Sequence, residues 1–278
     1  MSLYDAFRYD GKRVLVVGGA TGMGAAAAEL VQDAGADVVV MDFASITLEG
    51  ATAIHVNMSD TASIDAALDE CGGRIDALFS CAGVADGTPN IERINFLGHR
   101  YMIERMIERK MLGRGAAIGF ISSAAGLGWE YSYAELTELL DIDPLDVDAG
   151  SAWMVEHNKA DYFNSKQAVC AFVARQAFSL LKQGIRINAI CPGPTDTPLA
   201  QANKEMWLGF GSDYREELGI EASTPLEQAY PLVFLCSAAA AAITGITLIS
   251  DAGYVSSGIT SSFPPATEAA NFLLGRFD

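Results

Sequence analysis

The sequence predicts a doubly wound α/β fold, a single domain in which helices cover both faces of a seven-stranded parallel sheet. Seven short apolar or β-branched runs alternate with longer segments of helical periodicity along residues 1–278. Parallel neighbours need such crossover connections, and right-handed crossovers dominate. No change of composition divides the chain, and half of its residues are hydrophobic. At this length that is enough to bury one large core.

The predicted elements follow one another at regular intervals. The first two strands, RVLVVG and DVVVMD, are nearly continuous apolar runs, as expected of strands that are buried on both faces. The strands are predicted at residues 13–18, 37–42, 53–56, 74–80, 116–123, 184–190 and 245–250. Helical periodicity predicts helices from about residue 22, and at 60–70, 91–110, 159–182 and 225–237.

Composition and charge exclude several classes of function. With 18 Lys and Arg against 35 Asp and Glu, the formal net charge is −17, which disfavours nucleic acid and anionic lipid surfaces as partners. The cysteines are scattered, without a CxxC pair or histidines at metal spacing, so neither disulfides nor a metal site is expected. The charged N-terminus lacks a signal-type apolar run, and no apolar stretch is long enough to span a membrane. We therefore expect a cytoplasmic protein.

A glycine-rich turn follows the first predicted strand. Gly18, Gly22 and Gly24 lie between that strand and a helix, with Thr21 and Met23 in the same turn. Where side chains are absent, backbone N–H groups and the helix N-terminus can approach a pyrophosphate. The pattern indicates a dinucleotide site, and an ordinary glycine-rich turn is the alternative.

The second strand ends at Asp42, at the distance from the glycines where dinucleotide-binding folds place an acidic residue. A carboxylate there can accept hydrogen bonds from the adenosine ribose, and it would repel a 2′-phosphate. Neither Thr21 nor Phe43 provides a compensating cation. The sequence therefore favours NAD over NADP, with a solvated carboxylate at a strand end as the alternative for Asp42.

The segment DYFNSKQAVCAFVA places Tyr162 four residues before Lys166, on one face of a predicted helix. A free tyrosine has a pKa near 10 and is a poor base at neutral pH. A neighbouring ammonium and the charge of an oxidised nicotinamide would lower that pKa. Tyr162 is therefore a candidate general acid/base for interconverting an alcohol and a ketone. Spacing alone would favour a surface pair on an amphipathic helix.

Five motifs in this order resemble the short-chain dehydrogenase/reductase family over nearly the whole chain. They are the G-x-x-x-G-x-G turn, RINFLGHR, ISSAAG, Y-x-x-x-K and NAICPGPTDTP. The resemblance implies a Rossmann-type fold and a homo-oligomer, dimer or tetramer. It implies that Asn95 anchors a water and that Lys166 holds the nicotinamide ribose. Ser123 is expected to hydrogen-bond the substrate oxygen, where charge develops.

The resemblance also assigns further cofactor contacts. Asn57 and Met58 follow the third strand and are expected to flank the adenine. Cys81 stands where the family usually has Asn, and it is interpreted as a packing residue behind the adenosine, with a redox thiol as the alternative. The remaining expected contacts follow the fourth and sixth strands: Ala82, Gly83, Pro192, Gly193, Thr195 and Thr197.

The largest departure from the family is an insertion at about residues 129–158, before Tyr162. It carries eight acidic residues and no Lys or Arg, and its two halves look helical around DIDP. Together with GGATGMG, CAG and PGPTDTPL, it resembles the bacterial 3α-hydroxysteroid dehydrogenase/carbonyl reductase group. Its large side chains either cover a bulky apolar substrate or pack the insertion or a subunit contact: Trp129, Tyr131, Tyr133, Trp153 and Met154.

Residues 198–224 are expected to form a mobile substrate lid, since such loops commonly close over ligands. Met206, Trp207, Leu208 and Phe210 suit an apolar ligand. In the C-terminal tail, apolar residues such as Phe272 are candidate contacts with a neighbouring subunit. The predicted activity is NAD-dependent interconversion of a small hydrophobic secondary alcohol and its ketone, with a 3α-hydroxysteroid as leading candidate. A nonsteroidal alcohol, ketone or quinone is the alternative substrate, and non-catalytic dinucleotide sensing is the alternative function.

Overall fold

The computed structural model describes residues 2–276. The strands are β1 Arg13–Val17, β2 Asp37–Asp42, β3 Thr52–His55, β4 Ala77–Ser80, β5 Ala117–Ile121, β6 Arg186–Pro192 and β7 Thr247–Ser250. They form one sheet in the order β3-β2-β1-β4-β5-β6-β7, and every neighbouring pair is parallel. The predicted seven-stranded, doubly wound fold is confirmed.

Twelve α-helices connect and flank the strands in the described part of the chain. They are α1 Gly22–Asp33, α2 Thr61–Cys71, α3 Gly98–Glu108, α4 Tyr133–Asp141, α5 Val147–Glu156, α6 Tyr162–Lys182, α7 Pro198–Ala202, α8 Lys204–Trp207, α9 Ser212–Leu218, α10 Pro225–Cys236, α11 Tyr254–Ile259 and α12 Thr267–Leu273. None of the helices within residues 2–276 is both long and apolar enough to cross a membrane.

Strand β1 shows why the sheet is covered on both faces. Val14 and Val16 belong to a buried cluster with α1 and α10, whereas Leu15 and Val17 belong to a second cluster with α2, α3 and α6. Successive side chains of a strand point to opposite faces. A strand that is apolar at every position therefore needs helices above and below it, and this one has them.

The predicted helix at 91–110 is not a continuous α-helix. Arg93–Leu97 forms a π-helical turn, and α3 begins only at Gly98. A Cβ on Gly98 would lie 2.1 Å from the carbonyl oxygen of Met58, so the helix approaches the loop after β3 more closely than any side chain allows. Asn95 lies within the π turn, a feature often found at functional sites.

The insertion forms α4 and α5, as its two helical halves predict, and it packs against α3 and α6. Arg100 is buried and its guanidinium donates to the carbonyl oxygens of Leu139 and Leu140, at 3.1 and 3.0 Å, and of Ile142. These carbonyls lie at the end of α4, where a helix leaves acceptors without intrahelical partners, and Leu139 O also accepts from Ile142 N at 3.3 Å. A cation from α3 therefore anchors the insertion.

Candidate active site

The candidate site lies where the strand order reverses, at the carboxyl ends of β1 and β4. In open α/β sheets, ligands bind in the crevice at this switch point. Gly18 has φ +83°, and a Cβ there would lie 2.3 Å from Ala82 N. A Cβ on Gly24 would lie 2.0 Å from Gly18 O. Glycines are therefore required for the turn to pack between β1, β4 and α1.

A cleft of about 430 Å³ opens above this turn. It is lined by Gly18, Thr21, Gly22, Met23, Gly24, Asp42, Phe43, Asn57, Met58, Cys81, Ala82, Gly83 and Thr197 among the predicted cofactor contacts. Val56, Val84 and Thr88 also line it and lie outside the motifs, and Ile94, from RINFLGHR, lines it as well. The structure thus brings together every predicted contact from the first four strands.

The electrostatics of the cleft are set by Asp42 and by the start of α1. The Asp42 carboxylate accepts hydrogen bonds from Ala20 N and Ala44 N, both at 2.9 Å, and its oxygens keep further acceptor capacity. Thr21 does not cap α1 with its side chain, which leaves first-turn N–H groups free to bind an anion. Among the described residues that line this cleft, none is Lys or Arg.

A second cavity, of about 390 Å³, continues from the first. Both cavities are lined by Met23, Cys81, Gly83, Thr197 and Leu199. The second also contains Ser123, Tyr162, Lys166, Pro192, Gly193 and Thr195. These residues fit a dinucleotide that extends from the carboxylate of Asp42, past the start of α1, to the side chains of Tyr162 and Lys166.

Tyr162 is the first residue of α6, three positions later than the predicted start of that helix. Asp161 begins the helix because its carboxylate accepts from Asn164 N at 2.7 Å, a standard N-cap. Lys166 lies one turn further on, with its Nζ 5.5 Å from the centroid of the Tyr162 ring. The helix therefore presents both side chains to the cavity.

Lys166 is buried, and its Nζ donates to Ile121 O at 3.1 Å. The carbonyl oxygen of Lys166 accepts from Ser122 Oγ at 2.9 Å, which ties the end of β5 to α6. Burial disfavours the charged amine and lowers the pKa of Lys166 to about 8.

Asn95 joins the loop after β4 to α6. Its Oδ1 accepts from Val84 N at 2.8 Å, and its Nδ2 donates to Val84 O at 3.0 Å and to Ser165 Oγ at 3.3 Å. A Cβ on Gly83 would lie 3.4 Å from Lys166 Nζ and 3.5 Å from Asn95 Oδ1. The polar groups of Asn95 and Lys166 therefore converge on Gly83.

The pKa of Tyr162 is shifted mainly by burial. Burial raises it to about 12, a hydrogen bond with Ser123 acts to lower it, and the charge of Asp86 acts to raise it. The expected lowering by the Lys166 ammonium together with an oxidised nicotinamide stays a prediction, and burial acts in the opposite direction. Removing water from the phenolate outweighs the favourable contacts.

Two family models match the chain. Residues 12–134 match the short chain dehydrogenase model, and residues 147–255 match a model described as enoyl-(acyl carrier protein) reductase. Short-chain dehydrogenase reductase 5 of Arabidopsis thaliana is 30% identical, over 92% of this chain and 98% of its own length. The chain belongs to the short-chain dehydrogenase/reductase family. It is an oxidoreductase that acts on CH–OH groups, in a family that uses NAD(P).

Two further comparisons concern hydroxysteroid enzymes. The 3-alpha-hydroxysteroid dehydrogenase/carbonyl reductase of Comamonas testosteroni is 28% identical, over 86% of this chain and 95% of its own length. The crystal structure of the 3-alpha-hydroxysteroid dehydrogenase from Pseudomonas sp. B-0831, complexed with NADH, superposes with a TM-score of 0.68 at 26% identity, covering 90% of this chain and 99% of that one. The resemblance to this group is confirmed.

In this short-chain dehydrogenase/reductase, the predicted lid reaches Tyr162. Met206, Trp207 and Phe210 line the second cavity, and the Trp207 ring lies 4.7 Å from the Tyr162 ring. Leu208 does not line it, and its carbonyl oxygen accepts from Arg215 instead. The lid therefore contributes three of its four predicted apolar side chains.

The C-terminal helix α12 supplies a wall that sequence reasoning missed. Phe272 and Leu273 line the second cavity, and the Phe272 ring lies 5.7 Å from that of Phe163. Phe263 packs against Tyr214 at 5.2 Å. The structure therefore places this tail against its own chain. Asp86 also lines this cavity and lies outside every motif, whereas Ala124, Ala125 and Pro194 belong to quoted motifs and Leu199 and Ala200 to the predicted lid.

The insertion does not line the second cavity as far as residues 2–276 show. Met154 is fully buried, Trp129 packs edge-on against Tyr133 at 5.8 Å, and Trp153 stacks on His157 at 4.2 Å. These contacts favour packing of the insertion over coverage of a substrate.

Cys81 packs beneath the glycine turn, with its Cβ 3.1 Å from the position of a Cβ on Gly24. Burial raises the pKa of its thiol. Since the thiolate is the reactive form, this geometry favours the packing interpretation over a redox thiol.

Proposed function

We propose that this protein is an NAD-dependent dehydrogenase/reductase that interconverts a hydrophobic secondary alcohol and its ketone, with a 3α-hydroxysteroid as the leading candidate. The observation that carries the proposal is the cavity of about 390 Å³ at Tyr162 and Ser123. Its outer walls are aromatic and aliphatic, from the lid at residues 198–224 and from α12. A concave apolar site with a few convergent polar groups suits a small hydrophobic ligand.

The choice of NAD rests on the charges around the first cleft. A 2′-phosphate beside Asp42 would meet a carboxylate without a compensating Lys or Arg among the described lining residues. The ribose hydroxyls of NAD can instead donate hydrogen bonds to that carboxylate. The structurally similar hydroxysteroid dehydrogenase that was crystallised with NADH supports the same choice.

The polar side chains at the cavity have separate roles in this reaction. Tyr162 accepts the hydroxyl proton during oxidation and donates a proton to the carbonyl oxygen during reduction. Ser123 hydrogen-bonds the same oxygen and stabilises its developing negative charge. A bound nicotinamide would supply or accept the hydride. Lys166 would hold its ribose, and Asn95 would anchor a water that connects Lys166 to solvent.

The shifted pKa values give the reaction a pH dependence. Burial keeps Tyr162 protonated at neutral pH, which is the form that ketone reduction requires. Oxidation requires the deprotonated phenol. We therefore expect oxidation to accelerate as the pH is raised above neutrality, and reduction to slow.

The first experiment compares the wild type with Tyr162→Phe on a panel of 3α-hydroxysteroids, terpenoid alcohols and aromatic ketones, with NAD(H) and NADP(H). The variant should lose about 100-fold or more in turnover, the scale of general acid–base catalysis, while NADH binding stays within about twofold. Tyr101→Phe is the matched control, since the hydroxyl of Tyr101 donates to Asp65 and does not line either cavity.

Equal turnover by Tyr162→Phe would refute the assigned acid/base. Turnover of nonsteroidal ketones alone would support the same chemistry and reject the steroid. Binding of NAD without turnover of any panel member would contradict the proposed reaction.

A further inference from the structure

The second cavity contains two charged side chains, Lys166 and Asp86, among the described residues that line it. Lys166 lies deep, where its Nζ donates to Ile121 O, and it has a role in the proposed reaction. Asp86 lies on the exposed loop after β4. The proposed chemistry does not use its carboxylate.

The position of Asp86 is held by the start of the catalytic helix. Its Oδ1 accepts from Tyr162 N at 2.7 Å. Within residues 2–276, its carboxylate has no salt-bridge partner, so only the partial positive charge at the start of α6 offsets its negative charge. A fixed charge beside an apolar cavity acts through a lower dielectric than in bulk water.

We propose that Asp86 is a specificity-determining residue that makes the site select uncharged alcohols and ketones and reject those whose carbon skeleton carries a carboxylate. This inference rests on the proposed alcohol–ketone function and narrows its substrate class. A carboxylate that enters the cavity meets a like charge at Asp86. It also finds no cation besides Lys166 among the described lining residues, and burying an unpaired charge is costly.

The same carboxylate has a second measurable effect. The charge of Asp86 acts to raise the pKa of Tyr162. Removing that charge should therefore lower the pKa of Tyr162. The pH at which oxidation reaches half of its maximal rate should move to lower pH, which a purely structural role of Asp86 would not produce.

The test uses Asp86→Asn, because the amide oxygen can still accept from Tyr162 N while the charge is lost. The probes are two pairs of compounds, each a carboxylate and the neutral primary amide of the same carbon skeleton. One pair is built on 4-hydroxycyclohexanecarboxylate and the other on a 3α-hydroxycholanoate. The ratio of kcat/KM is measured for each pair. For a member that is not turned over, its inhibition constant against an accepted neutral substrate replaces kcat/KM.

The wild type should prefer the amide by about tenfold, and Asp86→Asn should reduce that preference by about five- to tenfold, the scale of one like-charge interaction near a protein surface. Asp33→Asn is the control. It removes one charge from the exposed end of α1, away from both cavities, and it should leave the ratio unchanged.

Equal ratios in the wild type and Asp86→Asn, or an equal change in Asp33→Asn, would overturn the inference while leaving the proposed function intact. Absence of turnover with every neutral alcohol and ketone would instead overturn the proposed function. If Asp86→Asn does not fold, the wild-type ratio is measured against ionic strength. Screening at about 0.5 M salt should narrow the preference for the amide, and a constant ratio would contradict the inference.

Discussion

Lys166 is a buried amine, and only 4% of the residue is exposed to solvent. Its pKa falls from 10.5 to about 8 because burial penalises the charged form. A shift of this size corresponds to about 3 kcal/mol of destabilisation when the amine is charged. The charged form of Lys166 therefore costs the fold stability.

Lys166→Met should therefore stabilise the protein at pH 7, by about 2 to 3 kcal/mol, while it abolishes turnover. The unfolded chain binds more protons than the folded one between about pH 8 and pH 10.5, so the cost in the wild type is full below pH 8 and disappears toward pH 10.5. Urea unfolding of the wild type and Lys166→Met, at pH 7 and at pH 10.5, measures the difference in the free energy of unfolding.

The exposed Lys182, near the end of the same helix, provides the control. Lys182→Met should change the free energy of unfolding by less than about 0.5 kcal/mol. A Lys166→Met variant that is less stable than the wild type at pH 7 would show that its hydrogen bond to Ile121 outweighs the cost of burial.

At the residue scale, the motifs predicted which side chains converge, but not how they ionise. Tyr162, Lys166 and Ser123 line one cavity as their spacing and the family resemblance indicate. The rise in the pKa of Tyr162 could not be predicted, because desolvation depends on atoms from β6, the lid and α12 that are far away in sequence. Asp86 could not be predicted for the same reason, because it is a single carboxylate in a loop without a motif and is far in sequence from the rest of the cavity lining.

At the scale of elements, the insertion illustrates a helix pair held by one buried cation. Burial lowers the pKa of Arg100 to about 10, yet its guanidinium still satisfies three carbonyl oxygens near the end of α4. Arg93 adds a surface pair with Asp148 at 2.6 Å, and Ser151 donates to Glu92 at 2.6 Å. The insertion is thus fixed to the body of the protein and away from the second cavity.

Arg100→Met should lower the free energy of unfolding by about 2 to 3 kcal/mol, because the carbonyl oxygens of Leu140 and Ile142 lose their donor while Leu139 keeps Ile142 N. Arg175→Met is the matched control, since Arg175 pairs with Asp141 of α4 but is more exposed than Arg100. It should lower the free energy of unfolding by less than about 1 kcal/mol. Denaturant titration of both variants measures these values.

The same variant also tests what the insertion does. If its helices only pack, Arg100→Met should leave the KM for an accepted alcohol within about twofold of the wild type below its melting temperature. A much larger increase in KM would instead support the alternative that the insertion covers the substrate.

At the scale of the whole molecule, the reversal of strand order between β1 and β4 creates one continuous cleft, the proposed site for cofactor and substrate. The carboxyl ends of parallel strands meet at this edge, so segments that are distant in sequence share it. A ligand that spans the cleft contacts several of these segments at once. Its binding should therefore stabilise the fold as a unit.

NADH at about 100 times its Kd should add about 2.7 kcal/mol to the free energy of unfolding and raise the melting temperature by several degrees. NADPH at the same concentration should raise it less, because Asp42 repels the 2′-phosphate. Asp42→Asn retains an acceptor for Ala20 N or Ala44 N. It should narrow the difference between the melting temperatures measured with NADH and with NADPH. Equal shifts with both cofactors in the wild type would contradict the choice of NAD.

The strands, the main helices, the glycine turn and the meeting of Ser123, Tyr162 and Lys166 at one cavity could all be predicted from the sequence. These features rest on apolar periodicity and on short motifs, whose residues are neighbours in the chain. Tertiary contacts alone place α12 and the lid at the walls of the second cavity, the insertion outside it and Asp86 at its lining. Those outcomes depend on contacts between residues that lie many tens of positions apart, and on how much water such contacts exclude, which no local pattern encodes.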